Sequence, residues 1–273
     1  LSGLVGSEMC IRDRREIDRG SYYDWPNTWN LVRQLQPGAV IFSDVGPDLR
    51  WVGNESGYAG DPCFATFTPR GDKPGVAPAP GQSNYKESPN GHADGEQWIP
   101  AEVDVSIRPG WFYHAKEDGK VRTAENLMQI YYESVGRGAS LLLNLPPDPR
   151  GLINEHDVAA LQGFRKLLDA TFGENLAARG KATADHVRGN AETFAAGNVL
   201  DANRATYWTT NDADTDATLE IDLGGAKRFD HLVLQEYIEL GQRILHLNIE
   251  AREEGTWKPL CEATSIGWKR CLL

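Results

Sequence analysis

At 273 residues, with 28 Lys and Arg against 39 Asp and Glu and a formal net charge of −11, the chain lacks the clustered positive charge that phosphate binding demands, which argues against nucleic acid as a partner. Its composition, 40% hydrophobic and 25% charged with 28 glycines and 8 tryptophans, fits a loop-rich and aromatic-rich globular protein of one large domain or two smaller ones. No apolar run approaches the roughly 20 residues that span a bilayer, and Cys10, Cys63, Cys261 and Cys271 have neither CxxC spacing nor the density of a disulfide scaffold.

The opening LSGLVGSEMCIRDR shows neither helical nor strand periodicity and resembles translated adapter sequence, so residues 1–14 are set apart as non-native. YDWPNTWNLVRQLQPG reads as a helix. Asp24 or Trp25 caps it, Pro26 suits its first turn, and Trp29, Val32 and Leu35 share a face before Pro37 and Gly38 stop it. AVIFSD follows as a short buried strand, and a long Gly/Pro-rich stretch, irregular and too long for a mere connection, runs from Val45 to about Pro100. EVDVSI is a strand and RPGWFYH an aromatic loop; Thr123 opens a helix with Leu127, Ile130 and Tyr131 inward. ASLLLNLPP is a second buried strand, followed by a helix whose stripe is Val158, Leu161, Phe164 and Leu168. This alternation of strand, loop and helix points to a parallel barrel or doubly wound sheet over residues 15–173, and in a barrel the loops after the strands carry the site.

After Gly173 the texture changes. NLAARGKATADHVRGNAETFAAG reads as a linker with turns, and YWTTND, ATLEIDLGG, HLVLQEYI, LHLNIEARE and TWKPLCEA are short alternating runs, the mark of an antiparallel sandwich over 174–273. Cys261 and Cys271 either meet across neighbouring strands or remain two separate thiols. The ending IGWKRCLL stops within a strand-like run, and the chain is expected to be an internal fragment.

The candidate chemistry lies in DVGPDLRWVGNESGYAG. Glu55, between Gly53-Asn54 and Gly57 beside Trp51, is either a carboxylate lifted into a cleft as a general acid or a solvated loop residue. Asp44 ends a strand, either in the site or bonding backbone amides to hold the loop. Asp48 and Arg50 are expected to form a structural salt bridge. Trp51, Trp98, Trp111, Phe112 and Tyr113 supply aromatic faces on which sugar C–H groups stack, or else pack the loops onto the barrel. His92 and His114 have no HxH or HxxxH partner, so no metal is expected, and the absence of phosphate-loop, GxSxG and CxxC motifs argues against nucleotide, serine-nucleophile and zinc chemistry.

YDWPNTW, LQPGAVIFSDVGPDLRWVGNESGYAG, PAEVDVSIRPGWFYH and YYESVGRGASLLLNLPPDPRG together resemble glycoside hydrolase family 29, the α-L-fucosidases, and within it the branch acting on 1,3- and 1,4-linked fucose. The resemblance implies an α/β barrel (TIM-like, here N-terminally truncated) followed by an all-β sandwich, with fucosylated oligosaccharides or glycoproteins as partners, no cofactor, no membrane association and a secreted or periplasmic location. It implies that Glu55, in WVGNE, is the acid/base, that Trp111 packs on the sugar, and that Arg50 and Trp51 border the pocket. The family's nucleophilic Asp belongs to a WFDG-type motif preceding YYDWPNTW, and the chain holds no such motif. The tail, with NVLDANRATYWTTND and YIELGQRI, resembles a discoidin or coagulation-factor-5/8 type sandwich. Such modules bind sugars or merely buttress the barrel, and a glycan-binding module without catalysis is the alternative function. A hexosaminidase would require a carboxylate pair to orient an acetamido group, and none is found.

Overall fold

A computed structural model describes residues 19–272, so the segment 1–14 and Cys10 lie outside the described residues. Two helices come first, α1 (Arg19–Tyr22) and α2 (Trp25–Leu35). Pro26 occupies the first turn of α2 as its fixed φ favours. Asp24 precedes the helix, but in a left-handed conformation with no capping bond from its side chain. The stripe expected to face a core is not buried: no α2 residue is, and Leu35 is 73% exposed. What ties α2 down is polar, since Arg33 pairs with Asp48 and donates to the Ala39 carbonyl.

Within AVIFSD only β1 (Phe42–Ser43) is regular. The supposedly irregular stretch holds three short strands, β2 (Leu49–Trp51), β3 (Thr66–Phe67) and β4 (Gln97–Trp98), the last two paired antiparallel. With β5 (Ala101–Ser106) and β6 (Ser140–Asn144), β1 and β2 make a parallel sheet in the order β1-β2-β5-β6. Among the described residues this sheet is open and does not close into a barrel. The β2 strand escapes sequence reading because it is three residues long and its middle residue is Arg50, so no apolar alternation announces it.

Strand alternation sorts the sheet into two faces. Val105 and Ile107 of and just beyond β5, with Leu141 and Leu143 of β6, face the helices α3 (Ala124–Glu133) and α4 (Glu155–Phe172) and join Leu127, Ile130, Leu161 and Phe164 in one core cluster, while Val103 packs with Val52, Ala59, Cys63, Ala101 and Ala139 in another. Burying each such branched or aromatic side chain stabilises by roughly 1.5–3 kcal/mol. Thr123 caps α3 by accepting from the Asn126 amide at 3.2 Å, and Asn154 caps α4 by accepting from the His156 amide at 3.0 Å. In α4 the expected stripe holds at Leu161 and Phe164 and departs at Val158. Val158 is 36% exposed, and Asp157 points in, bonded to Arg108.

From β7 (Lys181–Ala184) the chain is antiparallel. β7 lies within the segment read as a linker and pairs with β8 (Leu219–Asp222); β9 (Leu232–Leu234) pairs with β12 (Arg270–Leu272), and β10 (Leu247–Glu253) with β11 (Thr256–Ala263). YWTTND is not a strand; within it Tyr207 stacks on Tyr237 with ring centroids 4.4 Å apart. Cys63, Cys261 and Cys271 are free thiols. YIELGQRI is held from within and without. Glu236 accepts from the amides of Arg243, Ile244 and Gly267, while the Gln242 amide accepts from the Ala65 N–H at 2.9 Å and donates to the Cys63 carbonyl at 3.3 Å. Arg270 adds an ion pair to Asp61, its Nη2 reaching both carboxylate oxygens at 2.8 Å. The antiparallel region is thereby fastened onto the loop that follows β2.

Candidate active site

The loop after β2 is shaped by residues that tolerate what its path demands. Gly53 has φ +81, and a Cβ there would lie 2.9 Å from Cβ of Tyr85; Gly57 has φ +94 and lies against Ile130 of α3. Between them Asn54 forms a side-chain turn, its Oδ1 accepting from the Ser56 amide at 3.0 Å and its Nδ2 donating to the Tyr58 carbonyl at 3.1 Å. Glu55 is thus lifted, solvent-exposed, onto the rim at the carboxyl end of the parallel sheet, where Trp111 Nε1 donates to its Oε2 at 2.9 Å. The Trp111 loop is itself fixed. Asn144 Nδ2 donates to the Trp111 carbonyl and to Ser106 Oγ, both at 3.0 Å, and Ser106 Oγ donates to the Gly110 carbonyl at 2.7 Å. The ends of β2, β5 and β6 converge on one carboxylate.

The face opposite the helices carries the second feature. Trp51 Nε1 donates to Asp104 Oδ1 at 2.5 Å across neighbouring strands, and Tyr85 meets the Trp51 ring edge-on with centroids 5.3 Å apart. Asp104 is only 1% exposed. Burial pushes its carboxyl up to about 6, with the Glu55 and Glu102 charges adding to the rise and the Trp51 bond opposing it. Burial likewise raises Glu102 against a bond from Ser140. Asp44 is buried and accepts from the Gly81 amide at 2.5 Å and Tyr85 Oη at 2.6 Å, which makes it the anchor of the long loop.

Of the residues singled out in sequence, Glu55, Trp51 and Trp111 gather at this end of the sheet, and Arg50 does not. Arg50 is 0% exposed, on the face opposite Trp51, and donates to the carbonyls of Ser88, Ile99 and Phe64 at 2.8, 2.5 and 2.7 Å. Alternation decides this: adjacent strand residues point to opposite faces, so Arg50 and Trp51 cannot both border one pocket. Nor does Arg50 pair with Asp48, whose carboxylate takes Arg33 and the Ile41 amide and is held low by them despite its burial. Trp98 and Phe112 are exposed, and Tyr113 lies under the Arg108 guanidinium, 4.6 Å from its ring centre. His92 stacks on Phe67 and its Nδ1 accepts from the Thr68 amide. Asp104 was missed because EVDVSI reads as an ordinary strand; a carboxylate at the second of its alternating polar positions was the available signal.

The antiparallel region holds a pocket of about 330 Å³ lined by Phe194, Tyr207 and Leu240 with Arg188, Asp212 and Arg243. Arg188 and Asp212 form a two-pronged pair at 2.6 and 3.1 Å.

Comparison with known proteins follows this division. Residues 23–171 match the Alpha-L-fucosidase family and residues 181–270 match the F5/8 type C domain. Alpha-L-fucosidase 1 of Arabidopsis thaliana is 39% identical over 261 residues, covering 94% of this chain and 49% of the relative. Among solved structures, SpGH29 is 34% identical with a TM-score of 0.80, covering 91% of this chain and 53% of that one. A GH29 fucosidase of Ruminococcus gnavus, in complex with fucose, is 31% identical with a TM-score of 0.79, covering 91% of this chain and 50% of that one. The chain spans about half the length of the relatives it matches.

Proposed function

The chain belongs to the alpha-L-fucosidase family, and on that premise we propose that it carries the acid/base side of a retaining exo-α-L-fucosidase site, cleaving terminal 1,3- or 1,4-linked fucose from glycans. The observation that carries this reading is the Glu55 carboxylate, raised between two positive-φ glycines at the carboxyl end of a parallel sheet and oriented by the Trp111 indole at 2.9 Å. In the first step Glu55 gives its proton to the departing glycosidic oxygen while a carboxylate attacks the anomeric carbon. In the second it takes a proton from the water that cleaves the glycosyl-enzyme, which requires two carboxyls about 5.5 Å apart. By family resemblance the attacking group is an Asp of a WFDG-type motif that precedes YYDWPNTW and lies outside these 273 residues. Trp111 both orients Glu55 and offers its ring to the sugar's apolar face, and Trp51 borders the same site. The reaction calls for no metal or cofactor, and the proposed glycoconjugate substrates fit a secreted or periplasmic location, which is proposed together with them.

The test is hydrolysis of an aryl α-L-fucoside by the full-length protein. Glu55→Gln is expected to lower kcat/KM, which reports the first step, about 10²- to 10⁴-fold for poor leaving groups and far less for activated ones. Equal loss for both kinds of leaving group, or no loss, defeats the assignment.

A second reading concerns the antiparallel region alone. The pocket of Tyr207, Phe194, Arg188, Asp212 and Arg243 combines aromatic faces with charged hydrogen-bonding groups, the chemistry of a sugar site. Glycan-array binding that survives Glu55→Gln and is lost in Tyr207→Ala supports it; a blank array leaves this region as a buttress.

A further inference from the structure

Among the described residues four buried carboxylates lie in or near the parallel sheet, and three are accounted for by what surrounds them, Asp148 by its pair with Arg150. Asp157 faces the Arg108 guanidinium, and Asp44 receives an amide and a phenol. Asp104 differs. It is 1% exposed, its one donor from another residue is the neutral Trp51 indole at 2.5 Å, and among the described residues no Lys or Arg bonds to it and no other residue donates to its Oδ2. The nearest buried cation in the sheet, Arg50, is spent on backbone carbonyls of the opposite face. A desolvated carboxylate whose donors are one neutral indole and its own backbone amide is destabilising where it sits, and Asn would hold the Trp51 indole equally well without the charge.

We infer that Asp104 is a positioning residue of the proposed hydrolysis: bonded to Trp51, the last residue of the strand that leads into the Glu55 loop, it fixes the indole at the site and supplies a second carboxylate that must be ionised for turnover. This rests on the reading of Glu55 as acid/base. The charged and titratable groups facing Asp104 are Glu55 from the loop after β2 and Glu102 from its own strand, while β6 presents uncharged Leu142 in register with it. Both carboxylates oppose its ionisation and the Trp51 bond favours it, so its proton inventory responds to any change at Glu55.

The experiment uses the full-length protein with Asp104→Asn, Trp51→Phe and Glu55→Gln, following kcat and KM for an aryl fucoside from pH 4 to 9. Wild type is expected to lose kcat/KM below about pH 6 as Asp104 takes up a proton. Asp104→Asn is expected to lower kcat roughly tenfold at pH 7 with KM within about twofold, and to abolish that acid limb. Trp51→Phe removes the donor that favours ionisation, and its acid limb is expected to move to higher pH; this arm serves alone if Asp104→Asn does not fold. Unchanged kcat and an unchanged limb in Asp104→Asn, or no upward move in Trp51→Phe, overturns the inference. If Glu55→Gln is inactive while Asp104→Asn behaves as wild type, the acid/base reading stands and this one falls; if Glu55→Gln is fully active, both fall.

Discussion

Arg108 and Asp157 meet inside the protein with both side chains at 0% exposure, Arg108 Nε donating to Asp157 Oδ2 at 3.0 Å. The pair ties the aromatic loop after β5 to the first turn of α4. Its second prong goes to Asp118 at 2.9 Å, and Tyr113 covers the guanidinium. The pair is incompletely satisfied, since Arg108 Nη2 and Asp157 Oδ1 have no hydrogen-bond partner.

Removing one member therefore leaves the other short of a partner. Asp157→Ala is expected to destabilise by about 1–3 kcal/mol, because the buried guanidinium keeps Asp118 but its Nε is left without an acceptor. Urea unfolding of wild type and variant measures it, and a loss under about 1 kcal/mol contradicts the buried placement.

Arg50 separates stability from catalysis. Arg50→Met leaves three backbone carbonyls without their charged donor, and a loss of at least about 3 kcal/mol is expected with KM for an aryl fucoside unchanged in whatever fraction folds. A rise in KM at full stability would put Arg50 back at the pocket.

Trp111→Phe keeps an aromatic ring and deletes the donor to Glu55. Loss of one hydrogen bond to a carboxylate corresponds to about 1.5–3 kcal/mol, or roughly 10- to 100-fold in kcat/KM. Trp111→Ala, which removes the stacking face as well, is expected to raise KM further.

Asp104 makes stability depend on pH in the direction unusual for a carboxylate. Its folded value of about 6 lies above the ordinary 3.8. The folded state thus binds more protons than the unfolded one between about pH 4 and 6, and stability falls as pH rises through that window. The full effect is on the order of 3 kcal/mol. Asp104→Asn is expected to raise Tm at pH 7 to 8 and to flatten this slope; an unchanged slope assigns it to other groups.

The antiparallel region is fastened by Gln242 and Arg270. Gln242→Ala removes a donor and an acceptor to the loop after β2 and is expected to cost about 1–3 kcal/mol. Differential scanning calorimetry on Arg270→Ala is expected to split one transition into two as the grip on Asp61 is lost. A single unshifted transition would mean the two regions do not stabilise each other.

Much was legible along the chain. Apolar periodicity located β5, α3, β6 and α4, because local hydrophobic alternation reports directly on which face is buried. Glu55 stood out through its setting of glycines, Asn54 and Trp51, and its assignment as acid/base came from the WVGNE motif. Elements of two or three residues were illegible: β1 shrank, while β2, β3 and β4 went unseen, since pairing partners far along the chain define such strands. Of the α4 stripe, Leu161 and Phe164 face the core as read, while Val158 is exposed because the ion pair with Arg108 turns the adjacent Asp157 inward.

By itself, then, the sequence determined the order of a parallel α/β region and an antiparallel one, the family, and the loop that lifts Glu55. Only the tertiary structure decided that Arg50 faces away from Trp51, that Asp48 answers Arg33, and that Asp104 lies desolvated beneath the indole. The reason is physical: periodicity encodes burial of apolar groups one element at a time, whereas the partner of a polar group depends on which distant strand or helix is folded against it.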